Sequence, residues 1–399
     1  MLSGFNVEKM YQYLLIALAF LLPLTVFGAN LVIVTICLLW IFSGNYKSKF
    51  LEIVSNKLVV ASILFFLLHL MGLLWTENIS WGLHMLHKMW YFVGLYPILF
   101  TIVKKENIYT YIFAFLLAIS VTEVFSYLIW FELIEPFKNA TVRNPIPFMS
   151  HISYNPILAF AIYLVLHQIV FNKKMSNIKV TLMSFFVITM IINMFITGGR
   201  AGQVIFFVML IIFSFQVFYK QKLKAFILIC MAFPLIFFSA YQSSEIFKDR
   251  FDDAINDVVT FQQNSNTSVG MRILFFSNSL ELFKNNPIIG VGTGDFVNEY
   301  FKVSAVNTPS FPLTTNPHNM YILILSQLGL IGLLSMLSIF YYQVKLSFNS
   351  PNKLIRDTGL MLPVIFLVLM MSDSYLLGHY TTLLFIFFSS FLYKNFEDS

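Results

Sequence analysis

Twelve apolar runs punctuate the chain, at about residues 10–29, 30–44, 58–75, 89–103, 108–132, 148–171, 180–197, 202–218, 225–241, 318–345, 357–372 and 375–393. A bilayer core about 30 Å thick calls for about 20 apolar residues per helical crossing. The pattern therefore predicts an all-α polytopic membrane protein with about 12 transmembrane helices. Several runs are nearer 15 residues; these either borrow polar neighbours or tilt little. The first run lacks a clear cleavage site and is read as the first helix, not as a signal peptide.

Composition agrees. Of the 399 residues, 58% are hydrophobic and 11% charged, against about 25% charged in soluble domains. There is too little polar surface to cover a water-soluble globule. The 46 phenylalanines read as lipid-facing bulk before they read as binding sites. Cys37 and Cys230 both fall in apolar runs, without CxxC spacing.

The net charge of +6 matters less than where the cations lie. With the N-terminus in the cytoplasm and strict alternation, sixteen of the 25 Lys and Arg residues fall on the inner side. They include Lys47, Lys104, Lys173, Lys222, Lys353 and Lys394. This asymmetry sets the expected orientation, with both termini inside. One long polar stretch, 242–317, interrupts the pattern. Glu245–Phe261 and Arg272–Lys284 mix apolar and charged residues at helical spacing. A partly helical outer cap is expected there, because long structureless connectors are uncommon between packed helices. The chain thus divides into helices one to nine (1–241), an outer loop (242–317) and helices ten to twelve (318–399).

The few outer cations are the candidates for chemistry. Arg200 stands in Thr197-Gly198-Gly199-Arg200-Ala201-Gly202 between two runs. Its planar fork matches phosphate oxygens two at a time, and the glycines allow close backbone approach. The same position also suits an arginine snorkelling from a tight turn. Arg272 opens an apolar-patterned helix, Lys88 follows His84 and His87, and Arg143 precedes Asn144-Pro145. Alone, Arg272 reads as a solvated loop charge, whereas Lys88 and Arg143 each either complete an anion site or mark the interface. The run Gly290-Val291-Gly292-Thr293-Gly294 has G-x-G-x-G spacing and no strand–helix unit around it, so a tight turn is expected rather than a nucleotide loop.

His318 lies in Asn316-Pro317-His318-Asn319, where the long loop re-enters the apolar region, and is expected in the first turn of helix ten. Histidine is the usual general base near neutral pH. Gly329 and Gly332, three residues apart on that helix, suit close helix packing. Serine-nucleophile, Walker and zinc-protease motifs are absent, as is an acidic metal-binding cluster. Neither metal, cofactor nor nucleic acid is expected.

Taken together, His318-Asn319, nine residues, Gly329, two residues and Gly332 resemble the signature of bacterial O-antigen ligases. Thr197-Gly198-Gly199-Arg200 resembles the family's arginine turn, and Arg272…Asn286-Pro287…Gly290–Gly294 resembles its long periplasmic loop. The strong part of the likeness covers about 197–335. It implies a fold like the C-type membrane glycosyltransferases and a bacterial inner-membrane protein with its active site facing the periplasm. The implied reaction is metal-independent, inverting transfer of a glycan from undecaprenyl diphosphate to a lipid A–core sugar hydroxyl. His318, Arg200 and Arg272 are implied to be catalytic, and Lys88, Arg143 and Asn319 to bind substrate. The same pattern occurs in O-antigen polymerases and protein O-oligosaccharyltransferases, which remain alternatives. A lipid-oligosaccharide flippase is a further reading, although transporters place polar groups near the bilayer midplane.

Overall fold

The computed structural model describes residues 7–396; the two chain ends, expected in the cytoplasm, lie outside them. Among the described residues there are seventeen α-helices and no strand. The first seven are α1 (Val7–Leu21), α2 (Val26–Phe42), α3 (Tyr46–Ser55), α4 (Lys57–Met71), α5 (Ile79–Trp90), α6 (Tyr96–Ile102) and α7 (Ile108–Trp130). Then come α8 (His151–Phe171), α9 (Asn177–Phe195), α10 (Arg200–Val217), α11 (Lys222–Ser243), α12 (Glu245–Val259), α13 (Ser268–Asn285) and α14 (Phe296–Asn307). The chain closes with α15 (Met320–Phe348), α16 (Lys353–Leu369) and α17 (His379–Leu392).

Seven stretches are long and apolar enough to cross a membrane, those built on α4, α7, α8, α9, α10, α11 and α15. The bent pair α2 and α3 makes an eighth if it counts as one span. The other runs form shorter helices, so twelve apolar runs do not become twelve long helices. This is a multi-pass membrane protein. On α11 only Ala225 and Ala240 are buried, while Leu223, Phe226, Met231, Leu235 and Phe238 stand exposed. An apolar surface of that extent is stable only against lipid or another protein.

Local chemistry moves two expected boundaries. The first run breaks after Leu21, not near residue 29, because Pro23 disfavours helical backbone in Leu22 and Thr25 caps the next helix by accepting from Gly28 N. Between the second and third runs, where no apolar run is expected, the chain forms α3, set at 117° to α2. The phenylalanines also do more than face lipid. Phe92, Phe115, Phe160, Phe385 and Phe388 are fully buried, and Phe388 meets Phe160 edge-on at 4.8 Å. This aromatic core encloses α17, which is buried from Thr381 to Leu392.

The helices expected within 242–317 form as α12 and α13, and α14 adds a third. The glycine run, however, is not a surface turn. Residues 287–292 insert beside α15, whose helix is broken at Gly329 (φ +61°). Val291 N and Gly292 N donate to the carbonyls of Ser326 and Gln327 (both 2.9 Å), while Leu330 N and Ile331 N donate to Pro287 O (2.9 Å) and Ile288 O (3.3 Å). The two backbones exchange the hydrogen bonds that the broken helix forgoes, as buried backbone requires. Gly329 and Gly332 therefore do not share one continuous helical face. Asp295 anchors the far end of the insertion by accepting from Glu77 N (2.8 Å) and Asn78 N (2.7 Å).

Candidate active site

The Arg200 turn is fixed from below by Asn155, a wholly buried residue of α8. Asn155 Oδ1 accepts from Thr197 Oγ1 (2.8 Å), and its Nδ2 donates to the carbonyls of Gly199 (3.2 Å) and Met194 (3.3 Å). The turn lies so close to α8 that a Cβ at Gly199 would sit 2.6 Å from Asn155 Nδ2 and from His151 O. Hence the small residues there: they let Arg200 start α10 directly above α8. The Arg200 fork then donates to Ser268 Oγ (3.0 Å) and reaches Arg250 O (3.5 Å).

Arg200, Arg250 and Arg272 together line a cavity of about 130 Å³, with His151, Ser268, Asp373 and Tyr375 among its other walls. None of the three guanidiniums is within ion-pair distance of a carboxylate among the described residues. Such a cluster favours an anion, and three planar forks suit phosphate oxygens.

His318 stands beside this cavity, not in a helical turn. Asn319 is the N-cap of α15, so His318 precedes the helix, with φ +52°. That left-handed backbone costs a non-glycine residue about 1–3 kcal/mol and persists only where its surroundings impose it. Here Asn316 Oδ1 accepts from His318 N (3.1 Å). Met320 N donates to Met370 O (2.9 Å), tying the start of α15 to the end of α16. The imidazole lies nearly parallel to Phe275, ring centres 6.1 Å apart, one turn along α13 from Arg272.

The tie to α16 also brings Asp373 to the histidine. Asp373 Oδ2 is 3.3 Å from His318 Nδ1, close enough for an ion pair but outside hydrogen-bond geometry. Asp373 Oδ1 accepts from Ser374 N (2.7 Å) and Asn316 Nδ2 (2.9 Å). Burial pushes the Asp373 carboxyl up, but His318, Ser374 N and Asn316 outweigh it and hold the group below the ordinary carboxylate value. With Nδ1 turned to the carboxylate, Nε2 is the nitrogen left to take a proton.

A second cavity of about 240 Å³ adjoins the first and shares Ile152, Asp373 and Tyr375 with it. Lys88 lines this larger chamber. The fold thus brings Arg200 and Arg272 to one cavity and Lys88 to the adjoining one, with His318 next to Asp373 on their shared wall. Arg143 lies in neither cavity and pairs with Asp249 on the surface. Asn319 spends its amide on the fold, accepting from Ile322 N (3.1 Å) and donating to Met371 O (3.2 Å). Sequence reasoning missed Asp373, Arg250 and His151. The available signal for Asp373 was its position as the single acid between the last two apolar runs, on the same side as His318.

These features define a class, an all-helical membrane protein with a histidine–carboxylate pair beside a cationic cavity at one end of its helices. Residues 185–337 match the family model described as O-Antigen ligase, and the match supports membership in that family. It takes in Arg200, Arg250, Arg272 and His318, while Lys88 and Asp373 lie outside it. A Haemophilus influenzae protein, described as an uncharacterized protein, is 29% identical over 212 residues. That alignment covers 49% of this chain and 51% of the relative, so the chain spans about half the length of the curated relative it matches.

Proposed function

We propose that the protein transfers a glycan from undecaprenyl diphosphate to a sugar hydroxyl of lipid A–core, at the periplasmic face of the bacterial inner membrane. The observation that carries this is the His318–Asp373 pair on the edge of the cavity lined by Arg200, Arg250 and Arg272. In this reading 242–317 is the periplasmic loop between nine helices and three, and both termini are cytoplasmic. The lysine-rich helix ends then face the cytosol, in keeping with the positive-inside rule.

The donor's diphosphate occupies the arginine cavity. As the bond from the anomeric carbon to the diphosphate oxygen breaks, its electron pair leaves with the diphosphate, and the guanidiniums stabilise that charge. His318 Nε2 takes the proton of the acceptor hydroxyl as its oxygen bonds to the anomeric carbon, and Asp373 holds the imidazole and balances its new charge. Attack from the side away from the diphosphate inverts the anomeric centre. Positioned proton transfer of this kind supplies about 10²–10⁴-fold in rate.

The test is the lipopolysaccharide gel profile of a deletion strain. Expected is uncapped lipid A–core, with long chains retained on undecaprenyl diphosphate. The wild-type gene restores capping and His318→Ala, inserted at normal levels, does not. Single repeats on lipid A–core would instead identify a polymerase, and an unmodified periplasmic protein a protein-glycosylating enzyme; either outcome ends the ligase assignment.

A further inference from the structure

The larger chamber has a lining unlike the arginine cavity. Trp81 offers an aromatic plate, and Ser153, Asn316 and Thr381 offer small polar groups. Gln327 is wholly buried on its wall. Its Nε2 is committed to Thr293 O (2.9 Å), but its Oε1 has no hydrogen-bond partner among the described residues. A buried acceptor left unmatched is costly, and each native instance needs an explanation. A ligand that brings a hydroxyl donor supplies one. Saccharides carry hydroxyls around a ring whose C–H faces stack on tryptophan, so an aromatic plate beside amides and hydroxyls fits their chemistry.

Position narrows the choice of saccharide. Resting on the transfer reading above, the diphosphate end of the donor lies among the arginines. Ile152, Asp373 and Tyr375 form the line along which the two cavities meet, and Asp373 faces His318 across 3.3 Å. Attack opposite the leaving group needs the acceptor on the far side of that line.

We infer that the 240 Å³ chamber is the acceptor-saccharide subsite, with Trp81 stacking on the acceptor sugar and Gln327 Oε1 receiving one of its hydroxyls. Both residues are specificity determinants, and neither touches the diphosphate.

The experiment uses full-length protein in nanodiscs, lipid-linked glycan donor and delipidated lipid A–core oligosaccharide as acceptor. Expected for Trp81→Ala is an acceptor KM raised about tenfold or more, with donor KM within threefold of wild type and Trp81→Phe largely rescuing it. Gln327 also helps to hold the inserted loop, so the second variant is Ser153→Leu, which fills the chamber from a partly exposed position; it should raise the acceptor KM in the same way. Unchanged acceptor KM in both variants, or a rise in donor KM instead, overturns the subsite while leaving transfer intact. A wild-type protein that consumes no donor overturns the transfer reading itself.

Discussion

Asp373 Oδ2 stands 3.3 Å from His318 Nδ1, and Asp373 alone of the two lines both cavities. In the proposed transfer, the carboxylate orients the imidazole from within the shared wall and leaves Nε2 to accept the proton. Asp373→Asn keeps the shape and the bonds to Asn316 and Ser374 N but removes the charge. Expected is a fall in kcat of about 10²-fold with little change in donor KM. Asp373→Asn at full kcat would leave His318 without a partner in the reaction.

The same residue makes a stability prediction with a definite sign. Its carboxyl titrates lower in the fold than the ordinary 3.8, so the folded state favours the ionised form. That contribution is present above 3.8 and is lost as the pH falls through the lower folded value. The difference in melting temperature between wild type and Asp373→Asn should therefore shrink as the pH falls below 3.8. A difference that grows below pH 3.8 would contradict the arrangement.

Arg200, Arg250 and Arg272 predict a dependence on fork geometry, not on charge alone. Lysine in place of Arg200 or Arg272 keeps the charge and loses the bidentate donors. Expected is a loss of about tenfold or more in kcat/KM for each, and about 10²–10³-fold for alanine. Arg250, which the sequence did not single out, should behave like the other two. Full activity in Arg200→Lys would make it a plain interfacial cation.

Arg143 should behave differently. Its pairing with Asp249 is exposed on both sides, and exposed pairs contribute little. Arg143→Ala is expected to transfer glycan within about twofold of wild type. A loss comparable to that of Arg272→Ala would return Arg143 to the substrate-binding set.

What was legible in the sequence follows from range. Arg200, Arg272 and His318 could be found because each sits in a short motif whose residue types carry their own chemistry. Asp373 was marked only as the acid between the last two apolar runs, because its meeting with His318 depends on Met320 N bonding to Met370 O across two helices. Arg250 was hidden for another reason: α12 mixes Asp249, Asp252, Asp253 and Asp257 with its apolar positions, so a lone arginine there reads as part of a solvated face. Helix existence was clear from the apolar runs. Their breaks were not: the first run extends to about residue 29 by hydropathy, although the helix ends at Leu21 and Thr25 caps the next one.

Gly329 is the position where pattern and structure part most sharply. Hydropathy runs unbroken through it, and glycine is ordinary in membrane helices. Yet φ is +61°, and a Cβ there would lie 2.3 Å from the carbonyl carbon and oxygen of Ile288. Two costs then add for Gly329→Ala: strained backbone, about 1–3 kcal/mol, and displacement of the inserted segment. Gly44 separates them, because its φ is +67° and a Cβ there meets nothing within 4 Å. Gly44→Ala should therefore show the strain alone. Gly329→Ala should melt well below it in detergent and expose 286–294 to protease. It should also lose transfer, because the displaced segment carries Thr293, the partner of Gln327 on the larger chamber's wall. Equal melting temperatures for the two variants would show that the inserted loop does not depend on the break in α15.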